Sequence, residues 1–239
     1  MKLNKDKETL RYHSTKSSSA VDGHVYLDVV KTIWTMMIFI VALIGGVLTI
    51  SIESVIVFLL ATSFSLCLGH SLGMHRRLIH NSYECPKWME YFFVHLGVLV
   101  GLSGPIGMIK THDIRDWSQR QKESHPYFGH SKPILTDAYW QLFCNIKLAS
   151  PPKFILEERV ANNAMYHFME KYWMAQQLPW AILFFIMGGL PWVVWGVFIR
   201  MAVSIFGHWL IGYFAHNQGQ RNWHINGASV QGYNVRFCG

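Results

Sequence analysis

Long apolar runs alternate along this chain with polar stretches dense in basic residues and histidine. Residues 1–27 are polar, with Lys2, Lys5, Lys7, Arg11 and Lys16, and read as a mobile polar tail on the cytoplasmic side. No apolar core follows these lysines closely enough for a cleaved signal peptide. The run VVKTIWTMMIFIVALIGGVLTI, residues 29–50, covers about 33 Å as a helix at ~1.5 Å per residue, enough to cross a bilayer. Ser51, Ile52 and Glu53 turn the chain into SVIVFLLATSFSLCLG, residues 54–69, which reaches spanning length when continued through His70 to Met74. These two helices form a first hairpin. A second occupies residues 178–216, where GGLP at 188–191 is a turn signal. Its first arm starts near Tyr172, and its second, Trp192 to His216, is longer than a bilayer requires.

A further apolar stretch, YFFVHLGVLVGLSGPIGMIK at 91–110, carries Gly97, Gly101, Gly104, Pro105 and Gly107, which weaken a helix. If it spanned, His75 and His112 would face opposite compartments. It reads instead as an interfacial or re-entrant segment. The expected fold is an all-α membrane protein: four transmembrane helices in two hairpins, a cytoplasmic histidine-rich cap, and this segment. Residues 1–27 form the tail and 28–239 the membrane domain.

Charge supports that topology. Only 15% of the 239 residues are charged and 51% are hydrophobic, against roughly 25% charged in soluble domains. Of 21 Lys and Arg, six lie in 1–31, twelve in 76–171, one is Arg200 and two follow His216; the hairpin tips have none. The positive-inside rule therefore puts both termini and the middle segment in the cytoplasm. His70, His75, His80, His112, His125, His130, His167, His216 and His224 fall on that one side. The net charge of +7 is dispersed among aromatics, which suits anionic lipid headgroups and not nucleic acid. Four cysteines far apart, with no CxxC pair, indicate neither a zinc knuckle nor a disulfide scaffold.

The thirteen histidines are the feature that points at chemistry. In GHSLGMHRRLIHNSY, residues 69–83, His70, His75 and His80 recur every five residues. On an α-helix, residues five apart point about 140° away from each other, whereas metal sites on one helix face use i,i+3 or i,i+4 spacing. The pattern suits a helix that breaks there, two ions each taking one imidazole, or histidines that only decorate an interface. THDIRDWSQRQKESHPYFGH, residues 111–130, holds His112, Asp113, Arg115, Asp116, His125 and His130. Imidazole with carboxylate suits iron or zinc; a solvated loop with Arg115 paired to Asp113 or Asp116 is the alternative. In GHWLIGYFAHNQG, residues 207–219, His216 stands where the last helix emerges. His208, two turns deeper, reads as a helix-to-helix hydrogen bond. Arg200 must face the bundle or a wet cavity, as an ion pair or as a functional group.

With HRRLIHNSYECP from His75, the broken apolar run, HDIRDW, and a hairpin ending WLIGYFAHNQGQRNWHINGASVQGYNVRF, the sequence resembles the membrane-bound fatty acid desaturases, the acyl-CoA branch in particular. The resemblance runs from about residue 29 to the end. It implies two iron ions held by histidines, dioxygen as co-substrate, and two electrons from a small carrier protein, cytochrome b5-like or ferredoxin-like. The product is a double bond in a fatty acyl chain, a step for which an iron cofactor supplies the oxidant. His75 and His80 match the first histidine box, His112 the first residue of the second, and His216 the ligand after the last membrane helix. The second box is H-x-x-H-H, but Arg115 and Asp116 stand at its paired positions. A carboxylate can ligate iron and a guanidinium cannot; with Asp116 at one of those positions and His125 or His130 as stand-ins for the other, the candidate metal residues on this resemblance are His75, His80, His112, Asp116, His125, His130 and His216. The third box is expected after VQGYNVRF, and the sequence ends at Gly239, so this box is expected to be missing. A hydroxylase or oxygenase on the same scaffold, and a catalytically incomplete structural or metal-handling membrane protein, are the alternative readings.

Overall fold

The computed structural model describes residues 11–221, 224 and 226–232. It is mostly helical, with two short antiparallel strand pairs. In order the elements are β1 (Tyr12–His13), β2 (Gly23–Leu27), α1 (Val29–Leu48), α2 (Ile52–Ser63), a π-wound segment (Phe64–Ile79), α3 (Lys87–Val98), α4 (Pro105–Gln119), α5 (Ile134–Phe143), β3 (Cys144–Leu148), β4 (Lys153–Phe154), α6 (Glu158–Ala161), α7 (Ala164–Lys171), α8 (Gln177–Val193), a second π-wound segment (Val194–Ile199) and α9 (Arg200–Asn217). The chain divides into two compact units, one built from residues 11–32, 110–157 and 207–232, the other from 33–109 and 158–206.

Among the described residues three helical stretches are long and apolar enough to cross a membrane: Val29–Leu48, Ile52–Ile79 and Gln177–Asn217. The second starts at Ser51, whose backbone is extended and whose hydroxyl accepts the Ser54 amide at 3.1 Å, a standard N-cap. The third breaks where GGLP predicts a turn. Gly188 and Gly189 leave the helical region, Gly189 at φ +67, a conformation that glycine takes without a steric cost. A Cβ added at Gly196 would lie 2.7 Å from the Phe184 ring, although twelve residues of straight helix would separate the two by about 18 Å. The backbone therefore doubles back at the two glycines.

Glycines also set the packing inside this unit. A Cβ at Gly45 or Gly46 would press on Val194 (3.0 Å) or Ile199 (2.9 Å), so α1 meets the second π-wound segment through its small residues. The contact of the first π-wound segment with α3 is closer still. A methyl at Gly69 would fall within the Leu96–Gly97 backbone, one at Gly73 within the Phe93 carbonyl, and one at Gly97 against Met74. Two backbones approach this closely only where a small residue leaves no side chain between them.

The apolar run 91–110 is split. α3 ends at Val98, Gly101 takes φ +87, and α4 begins at Pro105, the residue best suited to a first helical turn. The carbonyls freed by the split are satisfied by side chains. Trp34 donates to Gly101 O at 2.9 Å, and Gln177 to Leu99 O at 3.0 Å. Arg200, 3% exposed, donates to Leu99 O, to Gly196 O (2.7 Å) and to the Gln177 amide oxygen (2.7 Å). Its donors thus go to the broken backbone and its amide neighbour; among the described residues no carboxylate pairs with it. At the start of α4, Glu170 accepts the amides of Ile106 (2.8 Å) and Gly107 (3.0 Å), a negative charge on a helix N-terminus.

In the other unit β1 pairs with β4 (Tyr12 opposite Phe154), and β2 with β3 (Gly23 opposite Leu148, Leu27 opposite Cys144). Tyr12, Ala20, Trp117, Tyr127, Phe128 and Leu148 form its core. Arg11, 2% exposed, reaches Asp113 at 2.8 Å and Glu157 at 3.0 Å. Residues 11–27 are therefore a folded part of this unit and not a mobile extension. Their strand partners lie far along the chain, at 144–154.

The glycine packing gives opposite expectations at two positions. Gly73→Ala should lower the unfolding midpoint in detergent, at a cost of about 1–3 kcal/mol for overpacking against backbone that cannot yield. Gly207→Ala should raise it by about 0.5–1 kcal/mol, since nothing lies within 4 Å of a Cβ there and alanine is the better helix former.

Candidate metal centre

The helix does not break between His75 and His80; it widens. His80 N donates to His75 O at 3.0 Å, five residues back. Hydrogen bonds of that reach set residues i and i+5 over one another in successive turns, so the 140° divergence of an α-helix does not apply. The two Nε2 atoms are 3.3 Å apart, with ring centroids 4.5 Å apart and planes at 74°. Two nitrogens each about 2.1 Å from one ion, at octahedral to tetrahedral angles, lie roughly 3.0–3.4 Å from each other. The pair is exposed and spaced to grip a single ion with both imidazoles.

Arg77, between them in sequence, points the other way and is buried. Its Nε and NH2 each reach Glu90 Oε2 at 2.7 Å, and its NH1 reaches Asn81 Oδ1 (2.6 Å) and Tyr83 O (2.5 Å). Asn81 sits at φ 47, the left-handed turn that ends the segment. Glu90, fully buried, also accepts from Lys87 at 3.0 Å and from the Tyr166 hydroxyl. Burial alone would raise the Glu90 carboxyl; hydrogen bonds from Tyr166, Lys87 and Arg77 outweigh it and hold the group below the ordinary carboxylate range. This network anchors the end of the helix that carries the two imidazoles.

The other unit holds the remaining candidates. His112 is half-buried, and its Nδ1 lies 2.9 Å from Asp113 Oδ1. Burial raises the Asp113 carboxyl, but His112 and Arg11 outweigh it and keep it low. A carboxylate on one imidazole nitrogen is the usual support for a ring that ligates metal through the other. Asp116 lies on the outer surface, paired with Arg120 at 2.8 Å. His125 accepts the Tyr127 amide at 3.2 Å and lies beside Trp140. His130 is 4% exposed, with Nδ1 2.8 Å from Asp137 Oδ2 and Nε2 2.6 Å from Arg115 NH1. Burial is the largest influence on its pKa and keeps it below the ordinary imidazole value despite Asp137. His216 stacks on His130, centroids 5.7 Å apart and planes at 13°. The structure thus joins His75 with His80, and His130 with His216, while Asp116 and His125 make contacts elsewhere.

The chain is 31% identical to an sn-1 stearoyl-lipid 9-desaturase of Anabaena variabilis, over 65% of this chain and 56% of the relative. It is 28% identical to an acyl-CoA C20 Δ5-desaturase of Anemone leveillei, over 71% of this chain and 55% of that one. A second acyl-CoA 5-desaturase of the same plant is 27% identical, over 82% and 63%. The chain is thus similar to fatty acid desaturases over most of its length. No protein-family model matches it. It spans little more than half the length of the first two relatives.

Iron is the metal that the resemblance to desaturases implies, and the residues present fit it unevenly. His75 and His80 offer two neutral nitrogens at chelating distance. At the second-box positions Arg115 has no lone pair to give, and Asp116 faces outward to Arg120. Sequence reasoning missed Arg77, Glu90 and Asp137 altogether. The one available signal was the buried-type placement of Glu90 among aromatics, which is weak.

Glu90→Gln leaves the Arg77 guanidinium without its carboxylate and should cost about 3–5 kcal/mol, the usual loss when one member of a buried pair is removed. A depressed carboxylate stabilises fully above its unfolded value. The difference between wild type and Glu90→Gln in denaturant unfolding should therefore be constant at neutral pH. It should shrink as pH falls from about 4.3, the ordinary glutamate value, through the lowered native one.

Proposed function

We propose that this chain is the membrane portion of an oxidoreductase that introduces a double bond into a fatty acyl chain, using dioxygen and two electrons. The observation that carries this is the meeting of His75 and His80 on the π-wound end of an apolar helix, in a chain related to desaturases over 65–82% of its length. On this reading His75 and His80 hold iron. Bound iron with dioxygen supplies the oxidant that removes hydrogen from an unactivated methylene.

The chain's own residues do the rest. The Arg77–Glu90 network fixes the angle at which the two imidazoles are presented. An apolar cavity of about 550 Å³, lined by Ile56, Leu60, Phe64, Leu96 and Phe184 among others, suits hydrocarbon and excludes water. Ser65 also lines it, and His75 follows ten residues later in the same helix. This cavity takes a part of the acyl chain remote from the reacting carbon.

The reading also fixes topology. The chain crosses the bilayer four times, Val29–Leu48 pairing with Ile52–Ile79 and the two arms about Gly188–Gly189 forming the second hairpin. Residues 91–110, being split, enter or line the interface without crossing. Both termini and the basic residues between 76 and 171 then face the cytoplasm, where a cytochrome b5-like or ferredoxin-like carrier can dock.

Expression of the whole protein in a host lacking its own desaturases, followed by gas chromatography of total acyl chains, should reveal a new unsaturated species. His75→Ala and His80→Ala should each reduce it at least a hundredfold at equal protein level. Absence of any new alkene from the folded, iron-loaded whole protein would overturn the proposal; an alcohol in its place would assign a hydroxylase.

A further inference from the structure

His130 is held on both ring nitrogens. A guanidinium has only donors, so Nε2, 2.6 Å from Arg115 NH1, accepts. The ring proton is then on Nδ1 and is donated to Asp137 Oδ2 at 2.8 Å. Asp137 is fully buried, and the same oxygen accepts the Trp209 indole at 2.8 Å. A buried carboxylate that holds Nδ1–H while Nε2 faces a cation is the arrangement by which proteins orient a metal-binding histidine. In this unit the cation is the guanidinium. Arg115 is braced there by Gln141 Oε1 (2.7 Å) and Phe128 O (3.3 Å). The second imidazole of the cluster, His216, is stacked on His130, and the Gly212 backbone passes so close that a Cβ would lie 3.0 Å from His130 Nε2.

We propose that Arg115 is a built-in substitute for a metal ion: it uses the His130 lone pair that a second iron would need, so that the chain binds one divalent ion where the resemblance to desaturases implies two. The count of one rests on the reading of His75 and His80 given above. The exclusion at His130 rests only on the contacts of Arg115, His130 and Asp137. Removing the guanidinium should uncover a site formed by His130 and His216, for a divalent ion that accepts imidazole.

The full chain, purified in detergent micelles, is titrated anaerobically with cobalt(II) chloride. Bound metal is counted by elemental analysis after desalting and by the visible absorption of the bound ion. Wild type should hold one ion per chain, and His75→Ala with His80→Ala none. Arg115→His and Arg115→Ala should each gain an ion over wild type, and adding His130→Ala should remove that gain. Arg115→Lys, which keeps the charge, should stay at the wild-type count. Far-UV circular dichroism identifies the variants that remain folded, and the alanine and histidine variants serve as replacements for one another. A second ion in wild type that is lost in His130→Ala overturns the proposal, as does a folded Arg115→His or Arg115→Ala that binds no more than wild type. A wild type without metal whose Arg115 variants gain one ion defeats the assignment of His75 and His80 and supports the exclusion at His130.

Discussion

One backbone hydrogen bond, from His80 N to His75 O, reaches back five residues where an α-helix would reach back four, and the candidate metal pair depends on it. Wide turns of this kind are uncommon and usually confined to a single turn at functional sites. Here they extend over Phe64–Ile79, a segment restrained by packing along its length and at its end. Gly69 and Gly73 lay the segment's backbone directly on that of α3. At the far end the Arg77 fork on Glu90, Asn81 and Tyr83 ties down the last turn. Between these restraints the segment keeps a register in which residues five apart share a face.

A second constraint runs through the apolar unit. Backbone groups that leave a helix in apolar surroundings must be satisfied by the protein itself. The split between α3 and α4 meets that demand with Trp34, Gln177 and Arg200, and the start of α4 with Glu170. Arg200 is accordingly an internal cap on broken backbone. Its charge, costly in apolar surroundings, is spread over two carbonyls and an amide oxygen.

Much of this was legible in the sequence, because apolar length and Gly-Pro turns are local properties. The turn at Gly188–Gly189 and the interruption of residues 91–110 were both read from glycine and proline. What could not be read was winding and long-range pairing. A five-residue histidine repeat looks divergent until the helix is known to be π-wound, and nothing local to the repeat marks that winding. The strands of residues 11–27 are too short and too polar to announce themselves, and their partners lie at 144–154. His130 was found as a candidate ligand, but its partner Asp137 is a mid-helix carboxylate with no local mark. Arg115 was recognised as unable to bind metal, while the group to which it is bonded was not foreseen.

The split at Leu99 also has a bearing on how the polypeptide is made. Trp34 precedes Leu99 on the ribosome, but Arg200 follows it by 101 residues. At translation rates of about 5–20 residues per second, the Leu99 carbonyl waits roughly 5–20 s for that partner. Gln177, which shares that carbonyl, is made earlier, 78 residues after Leu99. The full set of hydrogen bonds at this split is therefore completed only when Arg200, at the start of α9, has been synthesised.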